Sequence, residues 1–154
     1  MNYTVESLAA EEAELQLPRL DNQTAWRIGR WLAEKAQREN LTITVDLTRN
    51  GQQLFHYAHE GTSADNDEWL KRKTRTVYRF GHSSLYMGRK LREANTNAAD
   101  KFYVSETEFC FHGGCIPLCV RGTGMVGTLG ISGLTQEADH ALAVEAIRSV
   151  LRKK

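Results

Sequence analysis

A single α+β domain is the fold class this chain predicts, on three observations. Residues 22 to 39 carry apolar side chains at helical spacing, and residues 42 to 59 alternate and reverse at Asn50-Gly51. Residues 112 to 133 hold seven of the 12 glycines in an otherwise apolar, β-branched run, and a second amphipathic helix follows directly. Helix-period and strand-period segments that alternate along 154 residues, with no internal repeat or linker, fit one core with helices packed on a sheet.

The elements follow in chain order. Residues 4 to 16 form a short acidic helix with Val5, Leu8, Ala9 and Leu15 on one side, ended by Pro18. Asp21 caps the strongest helix, over residues 22 to 39. Its Ala25, Ile28, Gly29, Leu32, Ala33 and Ala36 make one stripe flanked by Trp26 and Trp31; Glu34 pairs with Arg38 one turn on, and Asn40 suits the stop. Asn50-Gly51 is a two-residue hairpin turn, which sets Leu47 against Leu54, Val45 against His56 and Ile43 against Ala58 on the apolar side. Asp65 or Asn66 caps a helix to about Phe80, closed by Gly81, and Ser83 starts another to about Glu93. Residues 94 to 101 are polar and loop-like, and residues 102 to 111 favour neither period. The glycine-rich run is a hairpin turning at Gly122-Thr123, with Ile116 facing Leu129, Leu118 facing Gly127 and Val120 facing Met125. Thr135 opens the last helix, which reaches about Arg152.

Composition narrows the function classes. The chain is 41% hydrophobic and 25% charged with a net charge of +1, so no global field recruits nucleic acid or an acidic membrane. Eight basic residues between Lys71 and Arg92 read as charges complementing the dipole of a helix that begins with Asp67 and Glu68, and no nucleic-acid partner is expected. No apolar stretch approaches the ~20 residues that span a bilayer, so no membrane role is expected. The acidic start lacks a secretory pattern. Three cysteines spaced C-x4-C-x3-C cannot all pair, which favours a reducing compartment, and a cytoplasmic location is expected. Strand neighbours Cys115 and Cys119 stand about 13 Å apart at full extension, too far to share a metal, so no metal site is assigned.

Several motifs carry candidate chemistry. Gly122, Gly124 and Gly127 match a dinucleotide-binding pattern, but strand follows them where that pattern requires a helix, and a hairpin turn accounts for them. His112 precedes the permissive Gly113-Gly114 bend, which places an imidazole at a cleft edge. His56, on the hairpin, and His82, between two helices, are its rivals. Ser132-Gly133 leads into the last helix, where free N–H groups accept an anion; Glu137 and Asp139 in the first turn compete for that field. Cys110 or Cys115 acting with His112 is the nucleophilic alternative.

The stretch His112-Gly-Gly-Cys-Ile-Pro-Leu, the glycines 124, 127, 130 and 133, and Asp139-His140 before an Ala-rich helix resemble the haem-degrading domain superfamily. That group takes in GlcG-like and HbpS-like proteins and the C-terminal domain of PduO-type proteins. Val45-Asp46, Gly51-Gln52-Gln53-Leu54-Phe55 and Trp69-x-Lys71-Arg72-Lys73 resemble a UPF-type branch of it more closely. The resemblance implies a profilin-like or PAS-like domain with an antiparallel sheet of about five strands and flanking helices. It divides the chain into an acidic helical segment, residues 1 to 19, and the domain proper, residues 20 to 154. It also implies homo-oligomers, and haem or another tetrapyrrole as the ligand in some members.

The combined expectation is a homo-oligomeric small-ligand-binding protein with haem as the leading cofactor. Its candidate binding residues are His112, Gly113, Gly114, His56, His82, Ser132 and Gly133. A non-enzymatic interaction scaffold and an enzyme acting on a small metabolite are the alternatives.

Overall fold

The computed structural model describes residues 2–152. The elements run α1 (Val5–Glu14), β1 (Gln16–Leu17), α2 (Asn22–Glu39), β2 (Thr44–Arg49), β3 (Gln52–Ala58), α3 (Ala64–Phe80), α4 (Ser84–Glu93), α5 (Ala98–Phe102), β4 (Cys115–Val120), β5 (Gly124–Ser132) and α6 (Gln136–Leu151). The strands form one sheet in the order β1-β4-β5-β2-β3. Its pairings are antiparallel except at the short β1, which lies parallel to β4. The sheet expected to be antiparallel is therefore mixed at one edge.

Strand alternation gives the two faces different chemistry. Val45, Leu47, Ile116, Leu118, Leu129 and Ile131 are buried in one cluster with Ile28 and Leu32 of α2 and Leu142, Ala143 and Ile147 of α6. Each such side chain contributes roughly 1.5–3 kcal/mol on leaving water, which makes this face the stabilising half of the domain. The opposite face carries Thr44, Asp46, Thr48, Cys115, Thr128, Gly130 and Ser132, and α3 packs across it. Small and polar residues leave room there: the Leu70 side chain rests on Gly130, Thr48 bonds the Tyr78 hydroxyl and the Thr128 hydroxyl at 2.7 Å each, and the Thr74 hydroxyl lies 3.9 Å from the Cys115 sulfur.

Caps fix the helix ends. Thr4 and Ser63 form capping boxes, Asp21, Ser83 and Thr135 accept from the first turns of their helices, and Asn40 and Gly81 close α2 and α3 in the left-handed region. The acidic α1 is fastened by its carboxylates: Glu11 accepts from His140 Nε2 at 2.6 Å, and Glu12 accepts from His82 Nδ1 and the Ser83 N–H, both at 2.7 Å.

Five further expectations need correction. The helix expected to begin at Asp65 or Asn66 is capped by Ser63, and both residues lie inside it. Glu34 pairs with Arg30, not Arg38. The polar stretch after residue 93 contains the short helix α5, capped by Asn97. The β2–β3 pairing slips between Leu47 and Thr48, so Thr48 faces Gln53 while Leu47 faces Phe55. The extra residue, Leu54, shifts every partner beyond the bulge by one, and one residue of shift exchanges the faces. His56 thus faces Asp46 instead of Val45 and lies on the α3 side, while Phe55 turns inward onto Gly29 of α2. A similar slip beside the second turn sets Cys119 against Met125 and Val120 against Gly124, although the four pairs from Leu118–Gly127 to Cys115–Gly130 stand as expected.

Candidate functional site

The site lies at the end of the polar face, where three segments converge. The segment before β4, from Phe109 to Gly114, folds back against α3: the Cys110 N–H donates to the Arg72 carbonyl at 3.2 Å and to the Thr76 hydroxyl at 3.1 Å. Gly113 donates its N–H to the Gln136 side chain at 3.0 Å, which ties this segment to the start of α6. Gly114 adopts φ +138°, and a Cβ there would press on the Ile131 carbonyl and the Lys73 ammonium. The bend that Gly113 and Gly114 permit puts His112 on the surface beside Trp69 of α3, their rings edge to face at 6.0 Å.

His112 stands between two hollows. One, of about 270 Å³, is lined by Asn66, Trp69, Lys73, His112, Ser132 and Asp139 among others. The second, of about 240 Å³, is lined by Trp69, Arg72, Leu91, Phe109, Phe111 and His112 among others. The Arg72 guanidinium lies over the Trp69 ring at 4.2 Å from its centre. The His112 imidazole makes no hydrogen bond among the described residues, whereas His56, His59, His82 and His140 are each engaged by a side chain.

The candidates named from the sequence divide accordingly. His112, Ser132 and Gly133 share the first hollow, with Gly113 and Gly114 shaping the approach. His56 lines a separate groove of about 420 Å³ between α3 and β2–β3, where its ring lies 3.4 Å from Asp46 and 3.5 Å from Asp67. His82 stacks on Tyr86 at 4.0 Å and is held by Glu12, away from both.

Lys73 was not a candidate site residue from the sequence, which read it as one charge in the basic run and as part of the Trp69-x-Lys71-Arg72-Lys73 motif. It is 4% exposed and Asp139 is 2% exposed, with Lys73 Nζ 3.5 Å from the Asp139 carboxylate and 3.1 Å from the Ile131 carbonyl oxygen. The competition expected at the start of α6 is resolved in favour of Asp139, which accepts the N–H groups of Gly133 at 3.3 Å and Leu134 at 2.9 Å. Glu137 turns instead to Arg89, at 2.9 Å. Burial pushes the Asp139 carboxyl above the ordinary carboxylate range, against the pull of Lys73 and the two N–H donors. No signal in the sequence marked the pair, since its members lie 66 positions apart.

The thiols argue against a cysteine nucleophile. Burial raises Cys110, opposed by the His112 N–H bonded to its sulfur at 3.4 Å. Cys115, fully buried, is pushed up to about 12, chiefly by burial, against the pull of Thr74 and Lys73. Folded protein at pH 8 therefore leaves Cys115 unlabelled by iodoacetamide while the urea-unfolded chain labels fully, as mass spectrometry of the peptides would read. The same shift makes stability fall as pH rises from about 9 towards 12, because the unfolded chain releases the proton that the folded chain keeps.

The model of the family described as "Haem degrading protein HbpS-like" matches residues 20–148, and the chain belongs to that family. It is 41% identical over 150 residues to a UPF0303 protein of Streptomyces avermitilis, covering 97% of this chain and 92% of that one. A UPF0303 protein of Psychromonas ingrahamii is 35% identical over 150 residues, with 97% and 94% covered. Among solved structures, the Ybr137w protein superposes with a TM-score of 0.89 at 32% identity, over 97% of this chain and 88% of that one. The PduOC:Heme complex has the same fold, with a TM-score of 0.70 at 19% identity over 84% and 94% of the two chains.

Proposed function

We propose that this protein binds haem or a related tetrapyrrole in the groove beside His112 and acts through that ligand. The observation that carries the reading is the His112 imidazole: exposed, without a hydrogen-bond partner among the described residues, and set between a polar and an aromatic hollow. Haem requires an axial donor and an apolar slot, with cations for its carboxylates. His112 is the donor; Phe109, Phe111 and Leu91 supply the apolar wall; Arg72 is the nearby cation. Membership of an HbpS-like haem-degrading family and the haem held by the PduOC neighbour support the same ligand class. When bound, the iron would supply redox and oxygen chemistry, while the protein fixes its ligation and solvent access.

The oligomer is proposed on the family resemblance, and the cytoplasmic location on the cysteine usage. No helix among the described residues is long and apolar enough to cross a membrane.

Titration with haemin, followed in the visible spectrum, tests the ligand. A saturable Soret shift is expected in the native protein and in His56→Ala, and its loss or marked weakening in His112→Ala. An unsaturable response of equal size in all three would overturn the reading.

A further inference from the structure

The hollow floored by Lys73 and Asp139 has chemistry that axial ligation by His112 does not use. A buried ion pair is seldom the most stable way to fill a core, since desolvating both charges offsets most of their attraction. Here the pair is 4% and 2% exposed, yet it lines a hollow of about 270 Å³ instead of being sealed in packed side chains. Lys73 has three N–H donors; the Ile131 carbonyl and Asp139 take two. Asn66 reaches Ser132 Oγ only at 3.3 Å, a bond long enough to be exchanged for a ligand atom. Thr44, the cross-strand neighbour of Ser132, keeps a buried hydroxyl with no partner among the described residues. The floor sets an amine and a carboxylate side by side in a desolvated recess, a nitrogen able to act as a nucleophile with a proton acceptor within reach.

We propose that this hollow is a carbonyl-capture site, in which Lys73 forms an imine with a small aldehyde or 2-oxo acid. Asp139 takes a proton from the Lys73 ammonium. The freed Nζ lone pair adds to the carbonyl carbon; the oxygen takes one proton from Nζ and the other back from Asp139, and leaves as water, so that the protonated imine pairs with the Asp139 carboxylate. The N–C double bond replaces the C–O double bond, and no oxidant or reductant enters. Asn66 and Ser132 face the remaining oxygens of the substrate, and Trp69 covers its flat side. The inference does not rest on haem binding, because it uses no axial ligand, although Trp69 and His112 line both hollows.

The test is reductive trapping. Haem-free native protein is incubated with pyruvate or acetaldehyde and sodium borohydride, digested, and mapped by mass spectrometry. One adduct per chain, confined to Lys73, is the expected result, and unfolding in urea before treatment abolishes that preference. Lys73→Arg keeps a cation for Asp139 but cannot form the imine, so its adduct is lost. Should that variant fail to fold, the native map alone decides. Adducts spread over the exposed Lys71 and Lys90 with none on Lys73, or no adduct at all, would overturn the proposal.

Discussion

Replacing Lys73 with Met lowers the unfolding free energy by roughly 3–5 kcal/mol, the range found when one partner of a buried ion pair is removed. The cost arises from what remains: Asp139 stays 2% exposed with no cation beside it. Urea unfolding followed by fluorescence at fixed pH measures this directly. Two further results distinguish the electrostatic cause from a packing defect. In Lys73→Met/Asp139→Asn the buried charge is gone and the amide oxygen can still accept from the Leu134 N–H, though not also from Gly133, so part of the loss is recovered. The single variant is also relatively more stable at low pH. Burial already raises the Asp139 carboxyl, and losing Lys73 raises it further, so the folded state holds a proton that the unfolded chain releases. Stability is present below the unfolded carboxylate range and falls as pH climbs through the folded value. A defect of packing alone would give no such pH dependence and no recovery in the double variant.

Gly127→Ala is expected to be comparably severe for a steric reason. Gly127 lies in β5 between Leu118 of β4 and Arg49 of β2, and a Cβ there would overlap the Thr48 carbonyl oxygen. That oxygen belongs to backbone in the middle of the sheet, so no rotamer change relieves the contact. Overpacking against side chains typically costs about 1–3 kcal/mol, and against fixed backbone the upper end or beyond is expected. The thermal midpoint should fall by several degrees at least. Gly122→Ala serves as the comparison, since a Cβ there meets nothing within 4 Å and only its φ of +80° is strained. Equal midpoints for the two variants would contradict the close approach at Gly127.

These contrasts show which parts of the molecule were legible in sequence. Helices α2, α3, α4 and α6 were, because their apolar spacing agrees with residues such as Asp21, Asn40, Gly81, Ser83 and Thr135 that satisfy or end helix termini. Both hairpins were legible as hairpins, and most of the β4–β5 register followed from the turn. The bulge at Leu54 was not, because an extra residue leaves the alternation plausible in either register; its cost was placing His56 on the wrong face. The two-residue β1 is too short for any pattern and exists only because β4 offers it an edge. His112 was legible as a cleft residue from the glycines beside it. Lys73–Asp139 was not, since the burial of a charge is decided by elements that meet only in the folded chain.

Imidazole rescue tests most directly whether His112 ligates the bound tetrapyrrole. Haemin is added to His112→Ala, its visible spectrum recorded, and free imidazole then titrated in. A ligating His112 predicts a native spectrum characteristic of imidazole bound to iron, an altered spectrum in the variant, and return of the native spectrum as imidazole occupies the space left by the side chain. A variant whose haemin spectrum and affinity equal those of the native protein before any imidazole is added would contradict the assignment and place the ligand elsewhere on the molecule.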